Sequence, residues 1–179
     1  MAKQRKHPSR QDRKKLNIGC LFDYRDGWVN LDHPDMNVRK DVAHDLNKLP
    51  WPFPDSTFDT VLASHVIEHL TIDSLSILRE LARITKHHGD VIIEVPYALS
   101  SGNWDDITHR TNFGLKWYEN KKYGIHNLQL SDYHTKPCLL GRIIPNIRVK
   151  KNFTLRELVA LFVPNVVNEI HTKFVVIKD

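Results

Sequence analysis

Between Leu16 and Leu70 the chain repeats one device: a short apolar run that ends on a turn or a carboxylate. Leu16-Asn17-Ile18 runs into Gly19-Cys20, Trp28-Val29-Asn30-Leu31 into Asp32, and Val42-Ala43-His44 into Asp45. A buried-type strand, Phe58 to Ala63, follows. Runs this short, rich in β-branched and aromatic residues and bounded by turn formers, read as strands. A glycine at one strand end and carboxylates at the next two suit a nucleoside-bearing ligand. Ribose hydroxyls need an acceptor, and a charged end needs close backbone approach. The link Leu21–Gly27 is too short for a full crossover helix.

The remaining elements support an α/β reading. Leu49-Pro50-Trp51-Pro52-Phe53-Pro54-Asp55 is broken by prolines and reads as loop. Residues 73–87 read as a helix capped by Asp73, with Leu75, Leu78, Leu81, Ala82 and Thr85 on one face and Gly89 as its stop. Asp90–Val95 reads as a fifth strand stopped by Pro96, and strands alternating with a helix predict a parallel sheet. Residues 97–152 show no clean period and read as an irregular, substrate-facing insertion. Thr154-Leu155-Arg156-Glu157 reads as a capping box, and residues 166–177 as one strand or a hairpin at the sheet edge.

The 179 residues fit one domain with a real core. The expected organisation is a tail over 1–15 and a domain over 16–179. Lys3, Arg5, Lys6, Arg10, Arg13, Lys14 and Lys15 against Asp12 give the tail a net charge of +6, so residues 16–179 carry −1 of the chain's +5. A basic arm of this kind is a candidate contact for a nucleic acid or ribonucleoprotein, or a solubilising leader. No run approaches the length of a membrane span, and no apolar stretch follows the basic start, so neither a membrane nor a secretory destination is expected. Cys20 and Cys138 are far apart, which fits a reducing, cytoplasmic setting.

The block "LNIGC…GWVNLD…DVAHDLNKLPWPFPDSTFDTVLASHVIEHL…LRELARITKHHGDVIIEVP" resembles the class I S-adenosylmethionine-dependent methyltransferases, in particular the small methyltransferase-11-like group. The resemblance covers residues 16–96 and continues weakly through Asp106–Arg110 and the C-terminal strand. It implies a Rossmann-like, doubly wound, mostly parallel α/β sheet with its last strand reversed, and S-adenosylmethionine as cofactor. Gly19 and Cys20 then pass beside the methionine part, Asp32 accepts from the ribose hydroxyls, Asp45 and Leu46 border the adenine, and Ser64-His65 lies beside the sulfonium. One departure stands out. The family pattern places a second glycine directly after Gly-Cys, where this chain has Leu21 and Phe22, so a side chain crowds that turn or the turn takes another path.

Methyl transfer asks mainly for alignment, with a base only where the acceptor must lose a proton. His109 and Tyr97 are the candidate bases, each with a packing role as the alternative. Trp104 and Trp117 are candidate substrate platforms because they fall in the irregular segment. His65-Val66-Ile67-Glu68-His69 spells H-x-x-E-H, a metallopeptidase pattern when carried on a helix. It starts at a strand end and lacks the long flanking helix, so no metal is expected. The expected activity is methyl transfer to an unidentified acceptor. The alternative is a nucleic-acid-binding subunit on a degenerate scaffold.

Overall fold

The computed structural model describes residues 13–119, 126–150 and 153–178. Residues 1–12, and with them most of the basic tail, lie outside this set, as do Lys121, Lys122 and Lys151. The tail's last residues are not free. Lys14 donates its backbone N–H to Asp59 (2.9 Å), and Lys15 opens the first strand with its ammonium 5.2 Å from the Trp28 ring.

Seven strands form one sheet: β1 (Lys15–Ile18), β2 (Val29–Asp32), β3 (Val42–Ala43), β4 (Phe58–Ser64), β5 (Thr85–Pro96), β6 (Leu128–Pro137) and β9 (Val167–Val176). The order is β3-β2-β1-β4-β5-β9-β6, and β9 runs antiparallel to both neighbours while β1–β5 are mutually parallel. A small ribbon, β7 (Arg148–Lys150) with β8 (Phe153–Thr154), stands apart. Among the described residues α-helices are few: α1 (Ser74–Ile84), α2 (Ser101–Trp104) and α3 (Leu155–Ala160). This is the Rossmann-like α/β sheet expected, with loops in place of most crossover helices.

Periodicity explains the core. In β5, Val91, Ile93 and Val95 point inward, and Ile77, Leu81 and Ile84 of α1 join them in one cluster with Leu16, Ile18 and Leu31. α1 begins as expected, with Asp73 accepting from Ser76 N–H (2.9 Å), but it ends three residues earlier than the pattern suggested. Thr85 turns extended, its hydroxyl bonds back to the Leu81 carbonyl (2.7 Å), and it pairs with Phe58 to start β5. Pairing of Thr85 to Phe58 therefore outweighs helix propensity at the end of α1, and His88, at φ +60°, cannot continue a helix. Two other expectations also change. Residues 128–137, read as irregular, form the edge strand β6. β9 is an interior strand instead of an edge.

The proline-rich loop is stapled to α1. Trp51 is buried, its indole N–H donates to the Leu46 carbonyl (3.0 Å), and its backbone N–H donates to Glu80 (2.6 Å). Glu80 is paired with Arg83, whose guanidinium also donates to the Phe53 and Trp51 carbonyls. Removing the carboxylate strands the buried Trp51 N–H and leaves Arg83 with Asp55 as its remaining acidic partner. Glu80→Ala is expected to lower stability by about 2 kcal/mol in urea unfolding followed by tryptophan fluorescence, a larger loss than that of the exposed cap variant Asp73→Ala.

Candidate functional site

The sheet reverses direction of travel at β1. From β1 the chain goes to β2 and β3 on one side, then returns to β4 on the other, so the carboxyl ends of β1 and β4 flank a crevice. Gly19 lies at one lip and Ser64-His65 at the other. On the β1–β2 side, Asp32 is 6% exposed. One oxygen accepts Leu21 N–H (2.6 Å) and the other His33 N–H (2.7 Å), which leaves each a second lone pair. Leu21 fills the family's usual glycine position by adopting φ +40°, a left-handed backbone that is strained for leucine. Its neighbour Phe22 is 87% exposed.

Two asparagines that the sequence reading missed make the abbreviated crossover workable. Asn17 on β1 donates to the Asp23 carbonyl (2.7 Å). Asn30 on β2 accepts Arg25 N–H (2.9 Å) and donates to the Arg25 carbonyl (3.0 Å) and Asp41 (3.0 Å). Both side chains are buried and do for loop 19–28 what a helix would do for its own backbone. Polar residues at inward strand positions were the available signal.

Cys20 is buried; burial, then Asp32, pushes its thiol up to about 11, so it is protonated and unreactive. Asp45 accepts from Asn47 N–H (3.0 Å), which holds its carboxyl below the usual range, and lies 3.9 Å from His33 Nε2. Leu46 is buried, with its carbonyl taken by Trp51. Asp32 and Asp45 therefore bracket His33 on one edge of the sheet. Gly19 has φ +62°, and a Cβ there would collide with the Val66 side chain, so the close approach it permits is to its own chain.

On the β4–β5–β9 side a charged chain of contacts crosses the strand ends. The Ser64 hydroxyl donates to Glu94 (2.5 Å), Glu94 pairs with His171 Nδ1 (2.9 Å), and His171 Nε2 pairs with Glu169 (2.9 Å), which also binds Lys136 (2.9 Å). His171 and then Ser64 hold Glu94 down at about 2 against burial; His171 and then His65 hold Glu169 far below the usual range. Burial alone would lower His171, but Glu169 and Glu94 outweigh it and raise it. His65, with φ +49° and 45% exposed, lies 3.7 Å from Glu169 and 3.5 Å from Glu68; these carboxylates raise it to about 9.

His65, Glu68 and Glu169 border a cleft of about 280 Å³ that also reaches His69, Asp106 and His109. His109 is brought there because Asn103 accepts from its Nδ1 (2.9 Å), and its ring meets the His69 ring edge-on at 4.6 Å. Tyr97 is not in the cleft wall. It is buried, its hydroxyl donates to the Ala160 carbonyl (3.0 Å), and burial raises its pKa, so the candidate base is a packing residue. Trp117 likewise packs against Phe113 and Phe174 instead of facing a substrate, because β6 and β9 cover that segment. Trp104 is exposed near the cleft. The H-x-x-E-H run is not helical: Ile67–His69 forms a single 3₁₀ turn, so His65 and His69 do not share a helix face. Among the described residues no helix is long and apolar enough to cross a membrane.

Two outcomes follow from this geometry. Gly19→Ala should cost about 3 kcal/mol, and adding Val66→Ala should recover part of that, with a coupling of 1 kcal/mol or more in a double-mutant cycle by urea unfolding. The Glu94 contribution is full above pH 4.5, its ordinary value, and is lost as pH falls toward about 2. Thermal unfolding of the parent should therefore lose on the order of 2 kcal/mol more across that window than Glu94→Gln does.

Comparison with known proteins places the arrangement. A family model described as a methyltransferase domain matches residues 25–93. An uncharacterized protein of Methanocaldococcus jannaschii is 31% identical over 104 residues, 51% of this chain and 44% of that protein, so the chain spans less than half the length of this curated relative. Among solved structures, a SAM-dependent methyltransferase from Archaeoglobus fulgidus superposes with a TM-score of 0.62 at 16% identity, covering 91% of this chain and 86% of that one. A Haloferax volcanii chain solved in complex with the Trm112 methyltransferase activator gives 0.58 at 18% identity, over 93% and 83%. At these identities the structural likeness is one of fold.

Proposed function

We propose that this chain, which resembles the class I S-adenosylmethionine-dependent methyltransferases in its fold and in its methyltransferase-domain match over residues 25–93, binds S-adenosylmethionine at the β1–β2 edge and directs methyl transfer into the adjoining cleft. The observation that carries this reading is Asp32. It is a buried carboxylate at a strand end, oriented by two backbone N–H groups, with one lone pair on each oxygen still available. That acceptor set fits a pair of ribose hydroxyls. Asp45, held ionised by Asn47, suits the exocyclic amine of adenine.

When bound, the cofactor supplies a methyl group on a sulfonium, already a strong electrophile. The protein's own share is orientation and proton handling. His109 carries its ring hydrogen on Nδ1, bonded to the Asn103 carbonyl, which leaves Nε2 as an acceptor on the cleft wall for a proton from an acceptor hydroxyl or amine. His65, held cationic by Glu169 and Glu68, orients polar groups at the end of β4. Ser64 is committed to Glu94 and serves to fix that strand end.

Calorimetry with S-adenosylmethionine tests the reading. The parent chain should bind with a dissociation constant in the micromolar range, on the order of −8 kcal/mol. Asp32→Ala, checked for folding by thermal melt, should bind about 10- to 150-fold more weakly, the cost of about 1.5–3 kcal/mol for losing a charged acceptor. A parent chain that takes up no cofactor, or an Asp32→Ala chain that binds as tightly, removes the proposal.

A further inference from the structure

Glu68 has a problem that the methyl-transfer reading does not solve. Its side chain is 0% exposed, and neither carboxylate oxygen has a hydrogen-bond partner among the described residues. The nearest cation, His65, reaches only to 3.5 Å of Oε1, and Oε2 faces none. A buried carboxylate left this way is costly unless something else satisfies it. The chain has gone to some length to bring two imidazoles beside it. The Glu68 carbonyl accepts both Arg110 N–H (2.7 Å) and Thr111 N–H (3.1 Å), which ties the loop carrying His109 onto the turn carrying His69. One ligand atom each from Glu68, His69 and His109 then lies within 4.8 Å of the others.

Hydrogen bonding fixes which imidazole nitrogen is available. Asp106 accepts the Thr108 hydroxyl proton (2.6 Å) and Thr108 N–H (2.8 Å). With its one proton spent on Asp106, the Thr108 oxygen can only accept from His69 Nδ1 (2.8 Å). His109 Nδ1 faces a carbonyl, which also only accepts. Both neutral rings therefore carry hydrogen on Nδ1 and a lone pair on Nε2. This is the outer-shell arrangement that orients metal-bound histidines: a carbonyl behind one ring, a hydroxyl–carboxylate relay behind the other.

We propose that Glu68, His69 and His109 bind one divalent transition-metal cation on the wall of the cleft. Two imidazoles and a carboxylate favour zinc, cobalt, iron or manganese over magnesium or calcium. Bonds of about 2.1 Å place ligand atoms roughly 3–3.5 Å apart, so binding draws the three side chains together by about an ångström. Open coordination positions would face the cleft and could take an acceptor oxygen, the bound ion then replacing His109 Nε2 as the group that eases loss of the acceptor's proton. That use rests on the methyl-transfer reading; metal binding itself does not.

The test uses Co²⁺ alone on the intact chain after chelator dialysis, read by calorimetry and by the visible d–d absorption of bound cobalt, with Zn²⁺ as competitor. The expected result is saturation at one ion per chain and displacement by zinc. The isosteric Glu68→Gln and, separately, His109→Gln should each weaken binding at least tenfold, while His87→Gln, away from the cleft, should not. Thermal melts establish that each variant is folded, and His69→Gln replaces either one that is not. A parent chain without saturable cobalt binding overturns the proposal, as do folded ligand variants that bind like the parent. Cobalt binding that persists in a chain silent toward S-adenosylmethionine would keep this site and remove the cofactor assignment.

Discussion

Four residues of β1 hold the two halves of the molecule together. Leu16 and Ile18 pair with Val29 and Leu31 on one side and with Val61 and Ala63 on the other, so every backbone group of the strand interior is spent within the sheet. A strand with partners on both flanks and apolar cover cannot slip without moving all of its neighbours. That rigidity is what makes the exit from β1 informative. The chain must turn at Gly19 without a helix to absorb it, and the cost falls on a left-handed glycine, a left-handed leucine and two buried asparagines. A carboxylate at the end of β2 then closes the turn by accepting Leu21 N–H. The strained turn and the presented carboxylate are one structure.

The other half of the edge is organised by charge. Glu94, His171 and Glu169 form a continuous run of ion pairs, with Lys136 and His65 at its margin. Opposite charges this close polarise one another and resist rearrangement, because losing His171 from the middle takes a partner from both Glu94 and Glu169. The network therefore fixes where β4, β5 and β9 end relative to each other. Glu68 lies just inside this run and touches it only through His65, 3.5 Å from one of its oxygens, which is why a carboxylate without a hydrogen bond among the described residues stands out there.

Much of this was written plainly in the sequence, and the failures have physical causes. The strand ends at Gly19, Asp32 and Ser64, the Asp73 cap and the Thr154–Glu157 box are local chemistry, and the structure reproduces them. The end of α1 was misjudged because Thr85 is held extended by pairing to Phe58 of β4, a contact no local window contains, and His88 beyond it is left-handed. β6 alternates with its polar face in solvent and little apolar signal, so it passed for a loop. Tyr97 and Trp117 looked available because their partners, Ala160 and Phe174, arrive from distant segments. The His69–His109 meeting is likewise a tertiary event: the H-x-x-E-H letters were visible, but the ring that completes them comes from another loop.

The position of β9 carries a consequence for how the molecule is made. β5 and β6 have no ladder between them: β5 pairs with β4 on one side and β9 on the other, and β6 bonds only to β9, which follows both in chain order. A nascent chain emerging from a ribosome therefore holds β5 with one open edge, and β6 with no sheet to join, until β9 arrives to fill the slot between them. The His171 and Glu169 that lock the charged edge arrive on that same strand, so closing the sheet and wiring the cleft are a single late event.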